Sequence, residues 1–139
     1  ITKSEILLSG QQLARAEQSI EKVLTISPGN YPASIIQSKI LSAKKEIIKA
    51  EEVLRDLLIK KNRDPSLWMQ LSEVQRAGKN IVGYHLSRGE YYLLIGDFEN
   101  ALNQFQFALR LSGNSFQASE TIITKIKFAQ ERLGNKRGF

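Results

Sequence analysis

The stretch that decides the fold is YLLIGDFENALNQFQFAL, residues 92–109, where small and aromatic residues recur at fixed offsets. Apolar residues recur at spacings of three and four, which is typical of an amphipathic helix, and Gly96 interrupts the run. Ala101 and Ala108 lie one helical turn on either side of Phe105. Small side chains are needed where two helices approach to about 8–10 Å. The stretch therefore predicts two closely packed helices joined by a turn at Gly96.

The rest of the chain has the same helical spacing. No segment alternates with period two, and turn-forming residues divide the sequence into short helices. These are predicted at 2–9, 11–26, 31–44, 46–61, 65–77, 80–95, 97–111 and 115–133. Asp64 followed by Pro65 is typical of a helix start, as is Asn114 with Gln117 three residues later. About eight helices without a strand predict an all-α fold.

An internal repeat is visible in the first half of the chain. Five apolar positions each have an apolar counterpart at one constant offset. The pairs are Leu7 and Leu41, Leu13 and Ile47, Ala16 and Ala50, Ile20 and Leu54, and Val23 and Leu57. The offset matches the tetratricopeptide repeat, which has a period of about 34 residues and two helices per unit. The predicted architecture is a right-handed superhelix of antiparallel helix pairs, an α-solenoid in which 115–133 is the C-terminal capping helix.

The phase of the repeat in the second half is harder to assign. Trp68 is predicted to open a further unit, with 65–77 as its first helix. The offset from Ala50 to Ala101 is one and a half periods. The helix at 80–95 is therefore expected to close one unit and open the next.

The domain organisation follows from the repeat. Residues 1–133 are expected to form a single helical-repeat domain whose first repeat is truncated at the N-terminus, and residues 134–139 a loose tail. The chain begins without methionine, so we expect it to be a fragment of a longer protein.

Composition restricts the functions to be considered. The 139 residues include no cysteine, so no thiolate can act as a nucleophile or zinc ligand. No apolar run reaches the roughly 18 residues of a membrane-spanning helix. The net charge of +6 raises the question of nucleic acid. However, the densest cationic region, 39–63, is interleaved with carboxylates, which is typical of a solvated helix face, and nucleic-acid binding is the least favoured reading.

No catalytic constellation is recognisable in the sequence. A His-Glu-x-x-His zinc site needs two histidines one helical turn apart, and the chain has only His85. A hydrogen bond from His85 to a neighbouring helix is the expected role. Glu51 and Arg55, four residues apart, are expected to form an ion pair on a helix surface. We therefore expect no enzyme activity, metal or cofactor in this chain.

A family resemblance rests on four stretches: NYPA at 30–33, DPSLWMQLSEV at 64–74, GYHLSRGEYYLLIGDFENALNQFQFALRLS at 83–112 and NSFQASETIITKIKFAQERL at 114–133. Together they resemble the C-terminal tetratricopeptide region of bacterial periplasmic zinc metallopeptidases related to the β-barrel-assembly-enhancing protease. The resemblance implies a preceding peptidase domain that holds the zinc, a periplasmic location, and a role for these repeats in recruiting unfolded or assembling outer-membrane proteins or their assembly machinery. A free-standing tetratricopeptide adaptor or chaperone-like scaffold, without an attached enzyme, is the alternative.

The partner-binding surface is predicted on the concave face of the superhelix. Counting from the core positions gives nine candidates in three helices. They are Ile35, Lys39, Ser42, Met69, Glu73, Arg76, Leu86, Glu90 and Leu93. Because this set mixes apolar and acidic side chains, it suits an amphipathic or unfolded segment better than a free carboxyl terminus.

Overall fold

The structure is a computed structural model that describes residues 3–113 and 115–136, with side chains from residue 10 to residue 135. This part of the chain forms seven α-helices and contains no strand. They are α1 (Lys3–Ile26), α2 (Tyr31–Ala43), α3 (Ile47–Lys60), α4 (Pro65–Ala77), α5 (Ile81–Leu94), α6 (Phe98–Leu111) and α7 (Phe116–Lys136). The predicted all-α class is confirmed, with seven helices where about eight were expected.

The difference in helix number arises at Gly10. The two helices predicted at 2–9 and 11–26 are one continuous helix, α1. A glycine inside a helix costs roughly 1 kcal/mol relative to alanine, which does not end the helix when no turn or cap competes. At the other end of the chain, α7 continues to Lys136, so Gly134 and Asn135 are helical rather than part of a loose tail.

Side-chain caps set several helix boundaries. The Asp64 carboxylate accepts a 2.9 Å hydrogen bond from the Ser66 amide, and Pro65 is the first residue of α4, as predicted. Gly96 follows α5 with φ of +79°, a conformation that glycine adopts without strain, so the predicted turn is confirmed. The predicted cap at Asn114 lies outside the described residues.

The repeat period appears in the backbone conformation. Three helices end at positions one period apart, and two residues after each end the backbone adopts a left-handed φ. The helix ends are Ala43, Ala77 and Leu111, and the left-handed residues are Lys45, Lys79 and Gly113, with φ of 63°, 61° and 69°. The three turns that follow α2, α4 and α6 are therefore conformationally equivalent.

Burial follows the same period and corrects the predicted phase. Residues at two positions of the repeat are buried each time they recur; they are Ala33, Leu67 and Ala101, and Ile40, Val74 and Ala108. α4 is therefore equivalent to α2 and α6, while α3 is equivalent to α5. Trp68 therefore lies in a helix that is equivalent to α2 and α6, and the predicted half-period shift is wrong. It arose because Ala50 of α3 and Ala101 of α6, which occupy different helices of the repeat, were aligned as equivalents.

The chain divides into two compact units, Ile1–Leu57 and Leu58–Phe139. In the first unit, α1 packs against α2. The Lys44 Nζ donates to Glu17 of α1 at 2.9 Å, and this hydrogen bond, with carboxylates nearby, raises the pKa of Lys44. The predicted pair Glu51 and Arg55 is confirmed at 3.6 Å on α3.

In the second unit, α5 packs against α4 and α6, and α6 packs against α7. The core here centres on Phe105, which is fully buried with Ala101 and Ala108 of the same helix. Ile122 and Ile126 of α7 complete the buried cluster. The small residues predicted on α6 are therefore confirmed as packing positions.

Lys79 provides a test of the equivalence of the turns. Its left-handed φ costs a residue with a Cβ about 1–2 kcal/mol, and the equivalent position 113 is already glycine. We expect Lys79→Gly to stabilise the protein by about 0.5 kcal/mol, since the relief of strain exceeds the entropy of the added glycine. Urea unfolding would measure this. Lys79→Ala, which removes the same side chain but keeps the Cβ, should give no such gain.

Candidate partner-binding surface

α5 is the helix around which the polar contacts of the second unit are organised. Its residues make side-chain contacts with α4, α6 and α7 on different faces. Successive residues of an α-helix are rotated by about 100° around its axis, so neighbouring positions of α5 contact different helices.

A buried polar pair joins α5 to α4. Ser87 donates to the side-chain oxygen of Gln75 at 2.6 Å, and both residues are about 2% exposed. A buried amide without a partner would cost about 1–3 kcal/mol, so this hydrogen bond favours one register of α5 on α4. The pair is structural, because it is closed to solvent.

The half-buried Arg88 lies near this pair, where α4 meets α5. Its Nη2 donates to the Tyr92 hydroxyl at 3.2 Å, and its Nη1 lies 3.4 Å from Met69 Sδ on α4. Burial opposes the charge on Arg88. The Tyr92 hydrogen bond and the nearby Glu73 carboxylate outweigh that effect and raise the pKa of Arg88 above its usual range. Arg88 therefore remains a fixed cation beside two helices.

On the α6 side, His85 has the structural role predicted for it. Its Nδ1 lies 2.7 Å from the side-chain oxygen of Gln104, and its ring stacks on Phe107 with centroids 5.2 Å apart. One turn further along α5, Gly89 faces the Phe105 ring. The expected hydrogen bond from His85 to a neighbouring helix is thus confirmed.

On the α7 side, α5 forms an ion pair. Lys125 of α7 donates to the Glu90 carboxylate of α5, and both side chains are partly exposed, Glu90 to 19% and Lys125 to 34%. Phe128, about one turn after Lys125, is 43% exposed, and the Arg132 guanidinium lies 5.0 Å from its ring centroid. We name Glu90, Lys125, Phe128 and Arg132 the α5–α7 surface.

The nine predicted binding residues do not share one environment. Two apolar members, Leu86 and Leu93, pack against the core of the second unit. The exposed Glu73 and Arg76 form an ion pair with each other at 2.8 Å, whereas Glu90 pairs with Lys125. The structure therefore places Leu86 and Leu93 in packing roles and leaves Lys39, Glu73 and Arg76 exposed.

The members on α2 and α4 lie on helices that occupy the same position in the repeat. Lys39 on α2 is exposed, while Ile35 and Ser42 are half-buried, as is Met69 on α4. The three members on α5 lie on a helix that occupies the other position in the repeat. The joint placement of all nine residues on one concave face stays a prediction.

Sequence reasoning missed Arg88 and Lys125. Tyr84, Arg88 and Tyr92 recur at four-residue spacing along one face of α5, a signal that was available. Lys125 could not be paired with Glu90 from the sequence, because the two are far apart in the chain and the pairing requires α7 to lie beside α5.

Within the described residues, no cluster of three or more His, Asp or Glu side chains could hold a metal ion. No described helix combines the length and the apolar character that crossing a membrane requires. Neither a scan against protein-family models nor a search of curated proteins returns a match to this chain.

Proposed function

We propose that the chain is a tetratricopeptide-like protein-interaction domain that binds a segment of another polypeptide. The observation that carries the proposal is the recurrence of helix ends, left-handed turns and buried positions at the tetratricopeptide period. Helix pairs of this period stack into a superhelix in known repeat proteins, and their exposed faces bind extended or helical peptides. The function is therefore one of recognition rather than catalysis.

We place partner contact on α5 and α7. We assign both helices as first helices of their units, and in a stacked superhelix the first helices line the concave face. The α5–α7 surface combines an ion pair with the exposed Phe128 ring, which suits an amphipathic segment with one aromatic or aliphatic anchor. Of the nine residues predicted from the sequence, Glu90 belongs to this surface, whereas Leu86 and Leu93 pack against the core of the unit.

Peptide selection tests this proposal. A phage-displayed dodecapeptide library would be panned on the chain, and selected peptides would be titrated into ¹⁵N-labelled protein. We expect micromolar binding, with the largest amide shifts around Glu90, Lys125 and Phe128. The exposed Ile36 on α2 provides a comparison region, where shifts should be small. Failure to select any peptide that binds in solution would contradict the function, and a footprint centred on α2 would contradict the surface.

The resemblance to envelope metallopeptidases supports a narrower proposal. In that form the chain is the recruiting domain of a zinc-dependent peptidase, it acts in the periplasm, and its partners are assembling or unfolded outer-membrane proteins, their assembly machinery, or its own peptidase domain. The zinc belongs to that peptidase domain. A free-standing adaptor is the alternative. The reading frame upstream of Ile1 distinguishes them: a signal peptide followed by His-Glu-x-x-His supports the peptidase, and its absence supports the adaptor.

A further inference from the structure

Arg88 is held in a defined position by aromatic rings on its own helix. Its guanidinium carbon lies 5.5 Å from the Tyr84 ring centroid and 5.7 Å from that of Tyr92, one helical turn before and after it. The Tyr92 hydroxyl and Met69 Sδ add contacts at 3.2 and 3.4 Å. Because these contacts restrict the rotamers of a flexible side chain, less conformational entropy remains to be lost when Arg88 binds a ligand.

Arg88 also has unused hydrogen-bonding capacity. A guanidinium carries five N–H donors, and the contacts above occupy two of them. Two cations of this unit form ion pairs: Arg76 pairs with Glu73, and Lys125 pairs with Glu90. The Glu73 carboxylate is near enough to raise the pKa of Arg88, but it forms its ion pair with Arg76. No carboxylate of a described residue pairs with Arg88 in this way.

The Nε donor of Arg88 is accessible to water. Among the described residues, no buried side-chain nitrogen or oxygen lacks a hydrogen-bond partner. The Nε of Arg88 makes no hydrogen bond to the protein, so it must be accessible to water. Arg88 therefore lies where α4 meets α5, beside two tyrosines. Its Nε is accessible, and its guanidinium forms no ion pair with a described residue.

We propose that Arg88, positioned by Tyr84 and Tyr92, binds the carboxylate of an Asp or Glu side chain of the partner polypeptide. The inference rests on the proposed function and names the partner's chemistry at a second contact, on the α4 side of α5, in addition to the α5–α7 surface. Guanidinium and carboxylate form strong, charge-assisted hydrogen bonds in a fixed planar geometry. The net charge of +6 favours the approach of an acidic segment. The nearby Glu73 favours a singly charged carboxylate over a doubly charged phosphate.

The test uses the dodecapeptides selected on the wild-type chain. They should share an Asp or Glu at one position, and its replacement by Asn or Gln should weaken Kd by about 10-fold. Arg88→Met should weaken the acidic peptide by a similar factor and leave the Asn or Gln peptide unchanged. Arg88→Lys, which keeps the charge but not the planar fork, should also bind the acidic peptide more weakly than wild type.

Arg110→Met is the matched control. Arg110 lies over the Phe107 ring at 4.7 Å on α6, so the control removes one charge and one cation–π contact at another place. Its Kd should equal that of wild type. Circular dichroism would check that each variant is folded, and Arg88→Lys serves if Arg88→Met is not.

The outcomes separate the two proposals. If no peptide binds the wild-type chain, the proposed function fails and this inference fails with it. If peptides bind but the Arg88 variants do not weaken them selectively, or if a phosphoserine at the acidic position binds more tightly than Asp, the carboxylate site is overturned and the binding function stands.

Discussion

Phe105→Ala is expected to destabilise the protein by about 3–5 kcal/mol, the largest effect of any single substitution considered for this chain. Phe105 is 0% exposed and lies in the cluster that joins α6 to α7 and to apolar residues of α5. Truncation removes the transfer free energy of the ring and leaves a cavity that three helices border. Chemical unfolding monitored by circular dichroism would measure the loss.

Phe107 provides a control on the same helix. It is the same residue type, two positions further on, and is 43% exposed, with its ring stacked on His85. Phe107→Ala should cost well under half as much, because little apolar surface returns to water and no closed cavity forms. Equal losses for the two variants would mean that Phe105 is not the centre of the core.

Gly89→Ala is expected to destabilise the protein by about 1–3 kcal/mol, although alanine is the better helix former. A Cβ built on Gly89 would lie 2.6 Å from Phe105 Cδ1 and 2.8 Å from its Cζ, well inside van der Waals contact. The ring is buried and cannot move aside without displacing the cluster around it. The loss should appear as a lower midpoint of thermal unfolding.

Gly10→Ala is the matched control for this prediction. Gly10 lies inside α1, and a Cβ there would meet nothing within 4 Å. The same substitution should therefore stabilise the protein, by up to about 1 kcal/mol. Combining Gly89→Ala with Phe105→Leu should cost less than the sum of the two single changes, because the smaller side chain relieves the contact. Additive losses, or a stabilising Gly89→Ala, would contradict the close approach of α5 and α6.

Local sequence signals predicted much of the helix pattern. Asp64 with Pro65, Gly96, and the small residues around Phe105 act through the backbone or the nearest helical turn, so their roles can be read from a few adjacent positions. The same local reasoning failed at Gly10, where a weak helix breaker had no turn to compete with the helix. It also failed in the phase of the repeat, because an alanine at a helix crossing looks the same in either helix of a unit.

The candidate site was less predictable. The positions of Leu86 and Leu93 along the helix fit a surface role and a core role equally well. Only their packing against α6 and α7 assigns them to the core. The pairing of Glu90 with Lys125 requires α5 and α7 to lie side by side, although α6 separates them in the chain. Such contacts leave no local signal, since they depend on how helices pack and not on spacing within one helix.

The sequence by itself determined that the chain is helical, where most helices begin and end, and that the pattern repeats with a fixed period. These properties follow from backbone preferences and from the period of the helix, which act over one or two turns. Only the tertiary structure decided which helices are equivalent, which apolar side chains are buried, and that Arg88 has no carboxylate partner among the described residues while Lys125 has one. These outcomes depend on the close approach of residues distant in the chain, because burial and ion pairing are properties of neighbours in space.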